Sequence, residues 1–361
     1  MISVYIMNIL IIGAGNIGKA IAHDLRNDFS LTICDVDDEK LEDLEIYGET
    51  VKVDVTDHHG LVEVLRGFDI AVCAVPGRFG FDCVKDSIEA GTDIVDVSFM
   101  PEDPMVLDEE AKQKEARVVV DAGFGPGLTN LFLGMISKEM DNIRMCDIKI
   151  GGLPIDPEPP LYYRVFWSPY DLIEEYMRTA RMIENGNVVE KDPMEDIREV
   201  EVMGKKFEEF YSDGLRTLLT TIEADNIIET TLRWPGHLEK MKVLKELGFF
   251  DPENIDDTME VILPKMRFES RDMSMIDMVA RGTKDGERKE ISYRLYDEEK
   301  DGFTSMSRTT GFTTAVITRL VADEKVEYGV VPLEILGKDR SKHDFIIEEL
   351  KDRGIDIHIS T

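Results

Sequence analysis

The chain has 361 residues, too many for one ordinary hydrophobic core and suited to two domains of common size. Apolar residues make up 43% and charged residues 32%, a balance that excludes wholesale disorder. With 74 acidic against 42 basic residues the formal net charge is −32, which argues against nucleic acid and anionic membranes as partners. No apolar run approaches the roughly 18 to 20 residues that cross a bilayer, and the first residues lack a basic start and a small-residue cleavage site, so a cytoplasmic protein is expected. The acidic residues are spread along the whole length, as on a heavily hydrated surface suited to a salty interior. Cys34, Cys73, Cys83 and Cys146 lack the short paired spacing of zinc or redox motifs, so they read as structural thiols, with neither metal nor disulfide expected.

From Met7 the run MNILIIGAGNIGKAIAHDL is a short apolar stretch, then glycines, then Ile17, Ile21 and Leu25 at helical spacing: strand, turn, helix. Because that strand starts at Met7, initiation there is expected. In the turn Gly13-x-Gly15-x-x-Gly18 the glycines serve a tight bend, close backbone approach to a pyrophosphate, and close packing of helix on strand. Asn16 and Ile17 open the helix, whose unpaired N–H groups and dipole favour the phosphates. A second apolar run, LTICDVD, reaches Asp35 twenty positions after Gly15, where such folds place the acid for the adenosine ribose hydroxyls. An anion there, with Asp37 and Asp38 adding like charge, disfavours a 2′-phosphate, so NAD is expected in preference to NADP.

The stretches ETVKVDVTD, LVEVLRGF, DIAVCAVP, FDCVKDSIEAG, DIVDVSF and RVVVDAGFGPG keep alternating strand and helix. This pattern predicts a doubly wound parallel sheet of the Rossmann type, with ligands outside the carboxyl ends of its strands. Those ends supply the further cofactor candidates Asp54, Val55, Ala74, Val75, Pro76, Val97, Ser98 and Gly123. Asp54 reads equally as an adenine-side contact or a turn cap, and Ala74 to Pro76 as lining of the cofactor crevice.

After a helix in GPGLTNLFLGMISKEM the pattern changes to IKIGGLP, a proline-rich loop and LYYRVFWSPYDLIEEYMRTARMIE. Ser168-Pro169 is a helix entry, with Leu172, Ile173, Tyr176 and Met177 as its apolar stripe. Tyr163 and Trp167 alternate on a predicted strand, as aromatic core or pocket wall. TTLRWPGHLEKMKVLKELGFF reads as strand, tight turn, helix, and residues 273 to 297 as a hairpin joined by KDGERKE. The helix in SMSRTTGFTTAV is read as the return of the chain to its first domain. The expected division is therefore a discontinuous dinucleotide-binding domain, 1–125 with 303–361, around an α+β domain with a mixed sheet, 126–302.

The segments GAGNIGKAIAHDL, DVSFMPE, DAGFGPGLTN, GGLP with YYRVFWSP, TLRWPGHLEKMK and SMSRTTGFTTAV, in this order, resemble the saccharopine dehydrogenase and lysine 6-dehydrogenase family over nearly the whole chain. The shorter lysine 6-dehydrogenase branch is the nearer likeness, because saccharopine reductases usually carry an extra helical insertion. The resemblance implies hydride transfer from an amine-bearing carbon of a small amino acid to a nicotinamide, in a homodimer. For lysine that means ε-deamination, with closure to Δ1-piperideine-6-carboxylate. Such chemistry requires a cation for the α-carboxylate and an acceptor for the amine proton. Arg233 is the first candidate for the carboxylate and Arg216 the second, Arg233 reading otherwise as a salt-bridge residue. For the proton, Asp121 stands as relay or turn cap, and His237 as acid-base or hydrogen-bonded structural group. Two alternatives stay open: a saccharopine-type dehydrogenase, whose three-carboxylate substrate would call on Arg164, Arg178 and Arg181, and an NAD-binding regulator without turnover.

Overall fold

The structure, a computed structural model, describes residues 6–361. Six strands come first: β1 (Asn8–Ile12), β2 (Ser30–Asp35), β3 (Glu49–Lys52), β4 (Ile70–Cys73), β5 (Asp93–Asp96) and β6 (Arg117–Val120). The next are β7 (Asn142–Pro154), β8 (Ala180–Glu184), β9 (Asn187–Lys191), β10 (Arg198–Val202), β11 (Lys205–Tyr211), β12 (Ile227–Arg233), β13 (Asp272–Lys284) and β14 (Glu287–Glu298). Then β15 (Gly329–Pro332) and β16 (Ile357–Ser360) close the chain. They divide into two compact units, residues up to Leu131 with Ser307–Arg353, and Phe132–Met306 with Gly354–Thr361.

The first unit holds a seven-stranded sheet in the order β15-β6-β5-β4-β1-β2-β3, parallel throughout. Parallel strands are covered on both faces, and β1 accordingly reads as a nearly unbroken apolar run, with Ile9 to Ile12 all buried. Leu10 and Ile12 pack with Cys34, Cys73 and Cys83 on one side of the sheet. All four cysteines are buried free thiols. The returning segment lies against the helix Asn16–Leu25 through Gly311, where an added Cβ would stand 2.7 Å from the Ala20 Cβ. The threonines that follow bond back into their own helix, Thr313 Oγ1 to Thr309 O at 2.7 Å and Thr318 Oγ1 to Thr314 O at 2.8 Å, so buried hydroxyls are satisfied locally.

The second unit is built on a mixed sheet in the order β10-β11-β12-β7-β13-β14-β16, with the β8-β9 hairpin attached to β12. β12 and β7 run parallel while β7, β13 and β14 are antiparallel neighbours. The β13-β14 turn has Asp285 and Gly286 at φ 53 and 82, the two consecutive positive angles of a type I′ hairpin and the reason for Asp-Gly in that position. Ser168 caps the helix Pro169–Met177 by accepting from Asp171 N–H.

Two expectations are corrected. The last residues, assigned from sequence to the nucleotide-binding domain, join the second unit, because β16 pairs with β14 from Ser292↔Ser360 to Leu295↔Ile357. Tyr163 and Trp167 are not on a strand: 162–166 is irregular, Tyr162 is left-handed at φ 57, and Trp167 Nε1–H donates to Tyr163 Oη at 3.3 Å across one turn's spacing. No helix among the described residues is long and apolar enough to cross a membrane.

The two glycines make separable predictions. Gly286→Ala meets no atom within 4 Å and should cost about 1 kcal/mol from backbone conformation alone. Gly311→Val, pressed into Ala20, should cost about 1–3 kcal/mol by overpacking. Urea midpoints measure both, and a neutral Gly311→Val would contradict the packing described.

Candidate functional site

β1 lies between β2 and β4, so the strand order reverses beside it and the carboxyl ends of β1 and β4 flank a crevice. Gly13, at the end of β1, has φ 109, and a Cβ there would fall 2.5 Å from the Ala74 carbonyl oxygen at the end of β4. A Cβ on Gly18 would meet Gly13 O at 1.9 Å. Gly15 is different: it is exposed, caps the helix Asn16–Leu25 with no side-chain bond, and has nothing within 4 Å of its added Cβ. The outer glycines let backbone approach backbone, and the middle one leaves space in front of helix N–H groups. No acidic residue stands in that first turn, so a dinucleotide pyrophosphate fits the cradle with Gly13, Gly15, Asn16, Ile17 and Gly18 around it.

Asp35 at the end of β2 braces this loop, Oδ2 accepting from Ala14 N–H at 2.8 Å and Oδ1 from Asp37 N–H at 3.0 Å. The charge beyond it is less negative than its sequence implies, because Lys52 pairs with Asp38 at 2.5 Å and Lys40 with Asp37 at 3.5 Å. Asp54 is an exposed turn cap: Oδ1 accepts from Thr56 N–H at 2.9 Å and Thr56 Oγ1–H at 2.7 Å, bonds that lower its pKa. Val55 and Val75 turn inward onto the core, leaving Ala74 and exposed Pro76 at the rim. Val97 packs where Gly123 has no side chain, its Cγ2 only 2.7 Å from an added Cβ.

Sequence reasoning passed over Asp96, the last residue of β5, which is fully buried. Its Oδ2 accepts from Ser98 N–H at 3.2 Å and Oγ–H at 3.1 Å. Burial pushes its carboxyl up to about 7, and nearby Asp121 adds to the shift. Asp121 itself is buried at the end of β6 in left-handed backbone, φ 52, a conformation that an aspartate holds only where its surroundings enforce it. An aspartate directly after the apolar pair Ile94-Val95, at the carboxyl end of DIVD, was the available signal.

In the second unit Arg233 and His237 are brought together, but not as a solvent-facing pair. Arg233 is 1% exposed, with Nε donating to Tyr176 Oη at 3.0 Å, Nη1 to Leu232 O at 2.9 Å, and Nη2 to Glu175. Tyr163 covers it, ring centre 4.7 Å from Cζ. Burial opposes the charge, yet Tyr176 and Glu175 more than offset that, and Arg233 stays protonated. Each guanidinium nitrogen has a protein partner, which corrects the expected role in gripping a substrate carboxylate. Tyr163, likewise, is a buried wall of this ion pair.

His237 is corrected for a related reason. Tyr176 Oη receives its bond from Arg233, so its own proton points to His237 Nε2 at 2.8 Å, and Nδ1–H then donates to Leu161 O at 2.6 Å. Burial, then Arg233, lowers its pKa to about 3. A neutral imidazole with both nitrogens engaged is a structural group, as lone buried histidines commonly are.

Arg216 is 5% exposed at φ 51, in a buried segment 211–217. Within that segment Asp213 accepts two 2.8 Å bonds from Arg181 Nε and Nη2. Burial and then the positive charge of Arg216 hold Arg178 below the usual guanidinium range. Arg164 donates to Ser270 O instead. Among the described residues no group of three His, Cys, Asp or Glu is placed to hold a metal.

The His237 assignment carries a pH signature. The unfolded chain takes up this proton near pH 6.5 and the folded chain only near 3, so stability is lost as pH falls from 6.5 toward 3. Urea midpoints should decline more steeply over that window in the wild type than in His237→Gln; parallel curves would contradict a neutral buried ring.

A family model described as the saccharopine dehydrogenase NADP binding domain matches residues 9–120, and one described as the saccharopine dehydrogenase C-terminal domain matches 123–355. Saccharopine dehydrogenase (NADP+, L-glutamate-forming) of Saccharomyces cerevisiae is 24% identical over 280 residues, 70% of this chain and 60% of that protein. Alpha-aminoadipic semialdehyde synthase of Arabidopsis thaliana is 24% identical over 226 residues, 57% of this chain and 21% of that one. The chain thus spans 60% or less of these two curated relatives. The solved structure of apo saccharopine dehydrogenase (L-Glu forming) from Saccharomyces cerevisiae matches with TM-score 0.82 and 21% identity, over 98% of this chain and 99% of that one, a likeness of fold. Matched by both domain models in succession and sharing that fold, this chain belongs to the saccharopine dehydrogenase family.

Proposed function

We propose that this chain is an oxidoreductase that uses a nicotinamide dinucleotide to act on a carbon–nitrogen bond of an amino acid. The observation that carries the reading is the Gly13-Gly15-Gly18 cradle at the strand-order reversal, packed tight at its two ends and open in the middle. When bound, the dinucleotide supplies the nicotinamide carbon that accepts hydride. The chain's own contribution begins with the N–H groups of the first helical turn, which hold the pyrophosphate. Asp35, with lone pairs left beyond its two backbone bonds, accepts from ribose hydroxyls and repels a 2′-phosphate. NAD is therefore the proposed cofactor, although the domain description and the fungal relative's name carry NADP.

For the substrate, Arg216 takes over the carboxylate role from Arg233, and buried Asp121 is the proposed acceptor of the amine proton. L-Lysine, oxidised at the ε-carbon toward Δ1-piperideine-6-carboxylate, is the proposed substrate, on the resemblance to the shorter lysine 6-dehydrogenase branch, which lacks the helical insertion usual in saccharopine reductases. A saccharopine-type secondary amine is the second reading, favoured by the relatives' names. Nicotinamide absorbance, followed with L-lysine and with saccharopine and with either cofactor, separates them. The expected outcome is turnover of one amine with kcat/KM at least about tenfold higher for NAD, a margin of about 1.4 kcal/mol. Tight dinucleotide binding without turnover of any amino acid would identify a regulator instead.

Gly15 gives a sharper test of the cradle. Gly15→Val adds a Cβ with no atom of the described residues within 4 Å, so Tm should stay within about 2 °C while Kd for NAD rises at least about tenfold. Gly13→Ala, by contrast, should lower Tm as well, because its Cβ collides with the Ala74 carbonyl. Unchanged NAD binding in Gly15→Val would remove the pyrophosphate from this loop.

A further inference from the structure

β12 reads IIETTLR, and Glu229 breaks into it with a side chain only 3% exposed. The buried segment 211–217 folds over that carboxyl. Ser212 Oγ–H donates to Oε1 at 3.1 Å, Ser212 N–H bonds the Glu229 carbonyl at 3.3 Å, and Gly214 N–H adds a further bond to the side chain. Gly214 lies so close that an added Cβ would stand 1.8 Å from Oε1 and 2.8 Å from Oε2, so only glycine lets the segment seat itself there. Oε2 has no hydrogen-bond partner among the described residues. On the same segment Asp213 is gripped by Arg181 through Nε, Nη2 and the backbone N–H, at 2.8, 2.8 and 3.1 Å. Held by Glu229 and by Arg181, the segment enters its left-handed residue, Arg216 at φ 51, a conformation that persists where the surroundings over-determine it.

We infer that Glu229 is a positioning residue, holding residues 212 to 214 so that Arg216 keeps the backbone conformation that presents its guanidinium to a substrate carboxylate. The inference rests on the proposed action on an amino acid and adds a residue that the resemblance did not supply.

The chemistry of the pair agrees with this division of labour. Burial pushes the Glu229 carboxyl up to about 8; Asp213 on the segment and Glu175 on the helix Pro169–Met177 add to the shift, and the Ser212 and Gly214 bonds oppose it. At neutral pH Glu229 is uncharged and acts as a hydrogen-bonding clamp that adds no negative charge to the segment carrying Arg216. Above pH 8 the ionised carboxylate faces Asp213 and Glu175, and the clamp carries repulsion.

Two variants test this, with the substrate that the wild type turns over. Glu229→Gln keeps an acceptor at Oε1 and is neutral at every pH; Glu229→Ala removes the clamp. In Glu229→Ala, amide exchange over 211–217 should accelerate and amino-acid KM should rise at least about tenfold, with Kd for NAD unchanged. Glu229→Gln should restore slow exchange and bring KM at pH 7 back to within about twofold of the wild type. Between pH 7 and 9 the ratio of wild-type KM to that of Glu229→Gln should rise, a comparison that cancels titration of the substrate amine. Wild-type exchange in Glu229→Ala, or a KM ratio flat with pH, would overturn the inference. Should Glu229→Ala fail to fold, the pH comparison with Glu229→Gln decides it alone. A wild type inert toward every amino acid would instead sink the proposed function, and exchange over 211–217 would still report whether Glu229 holds the segment.

Discussion

The first unit is organised by one close approach of backbone to backbone. The Ala74 carbonyl occupies the space that any side chain on Gly13 would need, and the Gly13 carbonyl in turn occupies that of Gly18. Three places in the fold are thereby drawn together: the end of β4, the end of β1 and the first turn of the helix that follows. The bonds from Gly13 N–H to Cys34 O and from Ala74 N–H to Ile12 O, each 2.8 Å, keep β2 and β4 in register with this contact. Asp35 then ties in the loop through Ala14. A phosphate site made of backbone N–H groups has no side chain to adapt it, so its geometry depends wholly on such packing.

The second unit buries charge, which is costly, and pairs it closely. Arg233 loses its hydration but gains Glu175, the Tyr176 hydroxyl, a carbonyl and the faces of Tyr163 and Phe210. Breaking such a pair by removing one partner typically costs about 3–5 kcal/mol, because the other charge is left uncompensated. The direction of every proton in Arg233-Tyr176-His237-Leu161 follows from the fact that a guanidinium can only donate. This network orders the turn after β12 and the helix Leu238–Glu246, and it explains why two residue types associated with catalysis serve as structure here. Carboxyls without a cation of their own, Asp96 and Glu229, carry the opposite electrostatics: burial keeps them protonated toward neutral pH, up to about 7 and about 8.

Local chemistry was the part of the structure most open to reading from residues. Ser168-Pro169 starts a helix where one was expected, and the expected hairpin is present, with its connection shortened from KDGERKE to Asp285-Gly286 because that pair takes the two positive φ angles and Glu287 onward pairs as strand. The alternation of apolar runs implied the parallel sheet, since a strand covered on both faces has no polar side. The same logic failed for Tyr163 and Trp167, whose spacing satisfied a strand although no neighbouring strand was there to pair with 162–166. It also failed for β16, because IHIS is short and exposed and its partner, β14, lies far back along the chain.

What the order of residues determined by itself was everything set within about twenty neighbouring positions: the glycine turn, its helix, the acid at Asp35, and the succession of strands that makes a nucleotide-binding sheet. Only the tertiary structure decided which ionisable groups are paired and which are not. Arg233, His237, Asp96 and Glu229 owe their states to burial and to partners brought from other elements. A side chain's charge is a property of the space around it, and that space is assembled from segments that do not adjoin in the chain.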